Sequence, residues 1–390
     1  MPHSRITDLN LARNPIKRDS AIVLAAALPR SRIARLDLAY TNTQGKGVEA
    51  LAQAATSSTT LTALNLAYNS ICDADCFVLA DAIRRTSNLK ILNLKGNKIG
   101  KAGCSALLNT PLRILDLSYI QVDEGVGPIL ATLDNPHLTS LKLTKTLMGN
   151  AGWRLLAGGL KNLKSLDLSY TNLNLEGVLH LTHHLPGAKL LRTLALGGHD
   201  DGFGFRCAEA LASVLPHTRI TNLDLGRNKI GETGCSALAV ALPNTRITSL
   251  NLAKNNIHNT GCSALAAALP NSSITDLNLY SNLTNSIGCL ALADVLPSTL
   301  IKTLDMYGNF ISAPGCFTLA SVLSNTQITT LDLGETGIFE DGCSALAEAL
   351  PNSCITSLNL YCNFIRARGV TALAGALLNT HITTLNLWDN

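Results

Sequence analysis

The stretch Leu250-Asn251-Leu252-Ala253-Lys254-Asn255, followed in the same unit by Gly261-Cys262-Ser263-Ala264-Leu265-Ala266, shows the pattern that fills the chain. Leu-x-Leu, with Met306 as the last residue in one unit, occurs fifteen times, and the last six steps are all 27 residues long. A fixed period in the twenties predicts a solenoid, in which each unit stacks only on its neighbours. The first leucines are Leu9, Leu36, Leu64, Leu92, Leu115, Leu141, Leu166, Leu194, Leu223, Leu250, Leu277, Leu304, Leu331, Leu358 and Leu385.

The sequence of each repeat predicts a strand, a turn and a helix. An aliphatic residue always lies three positions before the first leucine, as at Ile247, and this alternation predicts a short strand with one buried face. Farther along, an apolar stripe at helical spacing is ended by a proline; one example is Cys262, Leu265, Ala266, Leu269 and then Pro270. Strands ~4.8 Å apart and helices ~8–10 Å apart cannot stack straight, so the sequence predicts a curved α/β horseshoe with parallel strands on the concave face and helices on the convex face.

A polar ladder is predicted inside the solenoid, five residues after each first leucine. An inward Asn amide can bond backbone groups of its own and adjacent turns, and a Thr hydroxyl can do part of the same. Ile120 and His199 break the ladder. Its Asn members are Asn14, Asn69, Asn97, Asn228, Asn255, Asn282, Asn309, Asn363 and Asn390, and its Thr members are Thr41, Thr146, Thr171 and Thr336.

These units resemble the ribonuclease-inhibitor-like class of leucine-rich repeat proteins, which includes the repeat arms of NLR immune receptors and the GTPase-activating proteins of Ran. The Gly-Cys-Ser-Ala-Leu-Ala segments at 234–239, 261–266 and 342–347 also resemble the helix signature of GALA-type bacterial effectors, which carry an F-box and leucine-rich repeats. The resemblance covers essentially the whole chain and implies an α/β leucine-rich repeat solenoid of about 15 repeats. One fold hosts many partners, so the resemblance says less about function.

A chain of 390 residues would usually suggest two or three domains, but the continuous repeats favour one domain over 1–390, with irregular repeats at 112–222. Hydrophobic residues make up 46% and aromatic residues 4%, as expected for a core of Leu, Ala and Ile. No apolar run approaches the ~20 residues that cross a bilayer, and no signal-peptide pattern opens the chain. We therefore expect no membrane partner and a cytoplasmic protein, or export into a host cell if the source is bacterial.

Eight of the eleven cysteines occupy one slot at the helix start, where they are expected to be small buried hydrophobes, reduced and without a metal. They are Cys76, Cys104, Cys207, Cys235, Cys262, Cys289, Cys316 and Cys343. The sequence enters its first repeat almost at once and stops within the last one. Solenoids normally need polar caps, so we expect a piece of a longer protein, or ends covered by a partner or by self-association.

The tyrosines are the strongest candidates for a binding site. All seven, and one tryptophan, lie one or two residues after Leu-x-Leu, which places them along the concave edge where strands end. Tyr and Trp are enriched in binding hot spots, although the rings could instead stack to shield the solenoid. The predicted protein-binding residues are Tyr40, Tyr68, Tyr119, Tyr170, Tyr280, Tyr307, Tyr361 and Trp388, in two clusters that would form two half-sites.

Other motifs give weaker evidence for a functional site. The Gly-rich segment 197–205, with Phe203 and Phe205, is either a contact loop or a decayed repeat with a local kink. His180, His183 and His184 have helical spacing for zinc, with His199 and Asp200 a repeat away. The carboxylate of a protease motif is missing, however, and we expect the helix histidines to lie where neighbouring helices pack. No phosphate loop, nucleophile elbow or paired catalytic carboxylates occur. We therefore expect no catalytic, cofactor-binding or metal residues. A net charge of +4 without a basic run argues against nucleic acid.

The sequence therefore predicts a non-enzymatic scaffold that binds a protein partner through its concave face. Two alternatives stay open. One is the substrate-recognition arm of a ubiquitin ligase or a secreted bacterial effector, for which the F-box would have to lie outside this sequence. The other is a GTPase-activating or regulatory protein, for which the family resemblance implies an acidic tail that this sequence lacks.

Overall fold

The computed structural model describes residues 5–86, 88–120, 135–147, 153, 157–199 and 202–390, without the side chains of 157 and 158. The chain forms two compact units, Met1–Leu194 (unit 1) and Ala195–Asn390 (unit 2). Both of these units are built from repeats of a three-residue strand, a turn and a helix. The strands are β1 (Asp8–Asn10), β2 (Arg35–Asp37), β3 (Ala63–Asn65), β4 (Ile91–Asn93), β5 (Ile114–Asp116), β6 (Ser140–Lys142), β7 (Ser165–Asp167), β8 (Thr193–Ala195), β9 (Asn222–Asp224), β10 (Ser249–Asn251), β11 (Asp276–Asn278), β12 (Thr303–Asp305), β13 (Thr330–Asp332), β14 (Ser357–Asn359) and β15 (Thr384–Asn386).

Within each unit the strands are parallel and follow chain order, β1 to β7 in unit 1 and β9 to β15 in unit 2. In the strand register, the first leucine of one repeat is the partner of the first leucine of the next, as at Leu250 and Leu277. The parallel strand-turn-helix repeats predicted from the sequence are confirmed, whereas a single domain over 1–390, with irregular repeats at 112–222, stays a prediction. Residues 121–134 and 148–152 of the irregular repeats lie outside the described residues.

Within each unit, helices form the second layer, and helices of adjacent repeats pack against one another over 17–108 in unit 1 and over 204–377 in unit 2. In the described residues, no helix has the length and apolar character that a membrane span requires. The α-helices are α1 (Lys17–Ala27), α2 (Lys46–Ser57), α3 (Asp73–Arg85), α4 (Lys101–Leu108), α5 (Leu175–His184), α6 (Gly204–Val214), α7 (Gly231–Ala241), α8 (His258–Ala268), α9 (Ser286–Val295), α10 (Ser312–Val322), α11 (Phe339–Ala349) and α12 (Arg366–Leu377).

Helix α8 differs slightly from the sequence prediction at its start, because it begins at His258 rather than Gly261. It ends as predicted, where the Leu-Pro pair at 269–270 tightens into a 3-10 turn with proline in its first turn. The same Leu-Pro ending recurs after most helices of unit 2.

The polar ladder is confirmed and it joins successive repeats. The Oδ1 atom of Asn255 accepts from the backbone N–H of Asn228 at 2.9 Å and of Ile230 at 3.3 Å. Its Nδ2 donates to the carbonyls of Leu225 at 2.8 Å and Leu252 at 3.0 Å. One side chain therefore satisfies backbone groups of two turns inside the core.

The cysteine slot is buried as predicted. All eleven cysteines are free, and all eight slot residues are 0% exposed. The Cys235 thiol donates to the carbonyl of Gly261 in the next repeat at 3.5 Å. A Cβ added to Gly261 would lie 3.1 Å from the Cys235 Cβ of the preceding repeat and 2.4 Å from the Ile257 side chain of its own repeat. Glycine precedes six of the eight slot cysteines, and at Gly261 it lets consecutive helices approach. Burial raises the pKa of the Cys262 thiol to about 12.

Candidate functional site

The strand face comprises the residues that alternate with the buried leucines. On it, the central residue of each strand motif has a structural task. Where this residue is Asn or Asp, its Oδ1 accepts from the backbone N–H two residues farther on, which closes the turn at the strand exit. The thirteen residues are Asn10, Asp37, Asn65, Asn93, Asp116, Asp167, Asp224, Asn251, Asn278, Asp305, Asp332, Asn359 and Asn386.

The turn bond positions the aromatic residues of unit 2. Tyr280, Tyr307, Tyr361 and Trp388, the unit-2 ladder, each donate their backbone N–H to that Oδ1. Ring centroids are 5.1 Å apart for Tyr280 and Tyr307, 6.1 Å for Tyr307 and Tyr361, and 5.0 Å for Tyr361 and Trp388. The structure therefore brings all four predicted residues of this cluster into one row.

The repeat between those of Tyr307 and Tyr361 lacks an aromatic residue at this position, and yet the row is continuous across it. It carries Gly334 where the neighbouring repeats carry tyrosine, and a Cβ there would lie 2.5 Å from the ring of Tyr307. Tyr307 thus leans across the glycine to stack on Tyr361. Its hydroxyl donates to the carboxylate of Glu335. Burial and this carboxylate raise the pKa of the Tyr307 hydroxyl above its usual range.

The tyrosines of unit 1 are built differently. Tyr40, Tyr68, Tyr119 and Tyr170, the unit-1 ladder, lie one position later in the repeat, in the left-handed turn with φ between 55° and 58°. Tyr40 and Tyr68 stack at 4.3 Å. Tyr119 and Tyr170 are instead bridged by Lys145, whose ammonium lies 5.0 Å and 5.3 Å from their ring centroids. The two predicted clusters are thus two different surfaces.

Exposure separates these rings from the core. Tyr40 is 49% exposed and Trp388 is 70% exposed, and the remaining rings are partly exposed. The sequence also missed a second aromatic set: Phe310, Phe339 and Phe364 follow the strand exits of unit 2 and are at least half-exposed. Phe339 and Phe364 stack at 6.0 Å. Their signal was a phenylalanine at positions that are polar or small in most other repeats, six residues after the first leucine for Phe310 and Phe364 and eight for Phe339.

Charge on the strand face of unit 2 is mainly negative near the ladder. Asp305 and Asp332 are register partners on adjacent strands. Burial and the charge of Asp332 raise the pKa of Asp305 to about 6, against the opposing effect of the bond from the Tyr307 N–H. Asn359 donates to both carboxylate oxygens of Asp332, at 2.9 and 3.0 Å.

The strand face of unit 1 has an open hollow of about 320 Å³ at its first four strands. The small side chain of Ala63 leaves this space, and the ion pair between Arg35 and Asp8, at 2.9 Å, flanks it. All three residues of β1, β2 and β3 and two residues of β4 line the hollow.

The Gly-rich segment and the histidines behave differently from the aromatic ladders. Phe203 is buried and only Phe205 is exposed, so one of the two expected contact rings belongs to the core. We expected the α5 histidines to lie where helices pack, which is wrong for His183 and His184, because both are exposed. Their rings lie 4.8 Å apart. Asp200 lies outside the described residues, within which no group of three or more His, Cys, Asp or Glu is placed to hold a metal.

Comparisons with known proteins agree with this architecture. A Leucine Rich repeat family model matches residues 57–80, 87–108, 159–181, 218–239 and 244–266. NACHT, LRR and PYD domains-containing protein 1a allele 1 of Rattus norvegicus is 40% identical over 95 residues, which cover 23% of this chain and 8% of that protein. The Tonsoku-like protein of Bos taurus is 36% identical over 137 residues, which cover 32% and 10%. The similarity thus spans a tenth or less of these relatives.

Two solved structures are similar in fold. The crystal structure of a TLR13-ssRNA13 complex matches with a TM-score of 0.57 and 19% identity, over 98% of this chain and 59% of that one. The Rad7 and Elc1 complex of yeast matches with a TM-score of 0.52 and 14% identity, over 98% and 81%. At such identities the likeness concerns the fold alone. The family-model matches, together with the repeated strand, turn and helix, identify the chain as a leucine-rich repeat protein.

Proposed function

We propose that this protein is a non-enzymatic scaffold of the ribonuclease-inhibitor-like class, which binds a protein partner through its strand face and anchors it on the unit-2 ladder. One observation carries the proposal: four aromatic side chains stand in a row on the strand face, outside the core. Leu, Ile and Ala fill the core, so folding has no need of these rings. Partly exposed aromatic residues are the type that dominates binding energy.

Two further features of unit 2 support the proposal, one for the binding surface and one for the class. Exposed Phe310, Phe339 and Phe364 add apolar area after the strand exits, where solvation of phenylalanine is unfavourable. Full 11-residue helices in α7, α8, α10 and α11 fit the proposed class. A cytoplasmic location, or export into a host cell, stays a prediction.

The experiment compares partner capture by the wild type with capture by Tyr280→Ala, Tyr307→Ala, Tyr361→Ala and Trp388→Ala. A hot-spot ring should lose at least ~2 kcal/mol of binding, about thirtyfold in affinity. Because Tyr307 stacks on its neighbours, Tyr307→Ala should lower the free energy of unfolding by about 0.5–1.5 kcal/mol more than removal of an isolated exposed ring would. Trp388 is the cleanest site, because it stacks on one ring, whereas Tyr307 contacts two, and because it is the most exposed ring of the ladder.

Phe317→Ala is the matched control, because Phe317 is 46% exposed but lies on helix α10. We expect it to leave both capture and melting temperature unchanged. If the ladder variants lose stability by several kcal/mol while the surviving folded protein captures its partner normally, the rings are packing elements and the proposal is wrong. A ubiquitin-ligase adaptor or a small GTPase among the captured proteins would select one of the two alternatives.

A further inference from the structure

The strand face of unit 1 contains a lysine at the position where other repeats carry the Asn or Asp that closes the turn. Lys142 is the central residue of β6, where thirteen other repeats carry an Asn or Asp that accepts the turn bond. An ammonium has no acceptor, so Lys142 cannot close the turn. Thr144, two residues on, instead donates its hydroxyl to Asp167 at 2.9 Å. The lysine therefore gives up a local bond that nearly every other repeat makes, and it is exposed.

Two more lysines lie at the neighbouring strand exits. The Lys95 and Lys145 ammonium groups lie 4.6 Å and 5.0 Å from the ring centroid of Tyr119. They come from the repeats before and after that ring, so they are no more than about 10 Å apart. Lys145 also lies 5.3 Å from the ring of Tyr170. Cation–π contact therefore holds the ammonium groups in a row along the strand exits.

Two carboxylates flank Lys142, because Asp116 and Asp167 are its register partners on the adjacent strands, and their hydrogen bonds leave that charge in place. Asp116 accepts from the Ser118 N–H at 2.9 Å. Asp167 accepts from the Ser169 N–H at 2.9 Å through one oxygen and from Thr144 through the other. Among the ion pairs of the described residues, none involves Lys95, Lys142 or Lys145. We call these three residues the lysine patch; its charge is opposite to that of the Asp305 and Asp332 region of unit 2.

We propose that the lysine patch binds an acidic segment of a partner protein, rich in Asp or Glu. The proposal rests on the proposed scaffold function and names the chemistry of one contact. Charge complementarity selects a carboxylate-bearing occupant. Nucleic acid fits this surface less well, because single strands are held by bases stacked on aromatic rings. Here the Tyr119 ring already has ammonium groups from the repeats on both sides.

Binding of a fluorescein-labelled oligo-glutamate peptide to the full chain tests the proposal, with oligo-glutamine and oligothymidylate as comparison probes. The key variant is Lys142→Asn, because Asn is the residue that closes the turn in other repeats. It should maintain or raise the melting temperature and yet weaken oligo-glutamate binding about two- to fivefold, the effect of one exposed charge pair. Lys145→Gln should weaken it similarly, and added salt should reduce binding throughout.

Lys254→Gln is the matched control, since the Lys254 ammonium lies 4.9 Å from the Tyr280 ring in unit 2, outside the patch. It should bind oligo-glutamate like the wild type. The proposal is overturned if the wild type binds oligo-glutamate no better than oligo-glutamine, or if Lys142→Asn and Lys145→Gln bind like the wild type. Tighter binding of oligothymidylate would mark a nucleic-acid surface instead. The unit-2 ladder variants leave the patch intact, so either proposal can fail alone.

Discussion

Replacement of Asn255 by alanine tests the inner polar ladder. The Asn255 side chain is fully buried and bonds five backbone groups. The fifth, the carbonyl of Ala253, also accepts from the Arg227 N–H. After truncation, the carbonyl of Leu225 keeps a bond from Asn228, and the carbonyl of Leu252 keeps one from Asn282. The N–H groups of Asn228 and Ile230 lose the side-chain acceptor that Asn255 supplied. The damage is thus concentrated on two buried donors.

A buried donor left without its acceptor costs about 1–3 kcal/mol. Two such donors, partly relieved by water entering the vacated space, predict a loss of about 2–4 kcal/mol in the free energy of unfolding. Asn255→Thr should recover only part of the loss. At Thr41 and Thr336 the hydroxyl bonds the carbonyl three residues earlier in its own turn, as the Asn amide does, but it does not replace the acceptor that Asn presents to the preceding repeat.

The assay is equilibrium unfolding in urea, combined with hydrogen exchange at the amides of residues 228 and 230. Both amides should exchange faster in Asn255→Ala and in Asn255→Thr. Asn244→Ala is the control, because Asn244 is exposed in the adjacent loop and should change stability by no more than about 0.5 kcal/mol. An Asn255→Ala protein as stable as this control, with unchanged exchange at both amides, would refute the ladder argument.

Three more predictions follow from the packing and charges. Thiol titration of the native protein should label the exposed Cys72 and Cys354 readily, whereas the eight slot thiols react only after denaturation, because burial raises their pKa. Gly261→Ala should lower the free energy of unfolding by about 1–3 kcal/mol, since the added Cβ meets Ile257, in spite of the better helix propensity of alanine. Folding raises the pKa of Asp305 from 3.8 to about 6, so its stabilising contribution is present below pH 3.8 and is lost as pH rises through 6. Unfolding curves of Asp305→Asn and wild type should therefore diverge in favour of the variant from about pH 4 to about pH 7.

Most of the fold could be predicted because its determinants are local and repeated. The leucines fix the strand register, the Asn row fixes the turns, and the cysteine slot marks the buried face of each helix. Where the helix begins was less predictable: α8 starts at His258 because the first helical turn needs no apolar residue to face the core. The exposure of His183 and His184 depends on which helix face the neighbouring repeats leave uncovered, and periodicity alone did not reveal that.

The candidate site was predictable in its residues but not in its geometry. Sequence position placed the tyrosines at strand exits, yet a shift of one position puts Tyr119 in a left-handed turn and Tyr307 on the strand face. The contacts of each ring depend on residues a whole repeat away, such as Gly334 under Tyr307. Lys142 was visible in the sequence as an exception, but its meaning required the turn bond that the other repeats make.

That turn bond also divides the surface into two kinds of residue. The central Asn or Asp of each strand is committed to its own backbone, whereas the residue before it and the two at the strand exit are not. An alanine scan of this face would therefore report the central positions as hot spots even where they touch no partner, because their loss loosens the turn that aims the neighbouring side chain. A library that randomises only the uncommitted positions would change what the surface recognises and leave its scaffold intact.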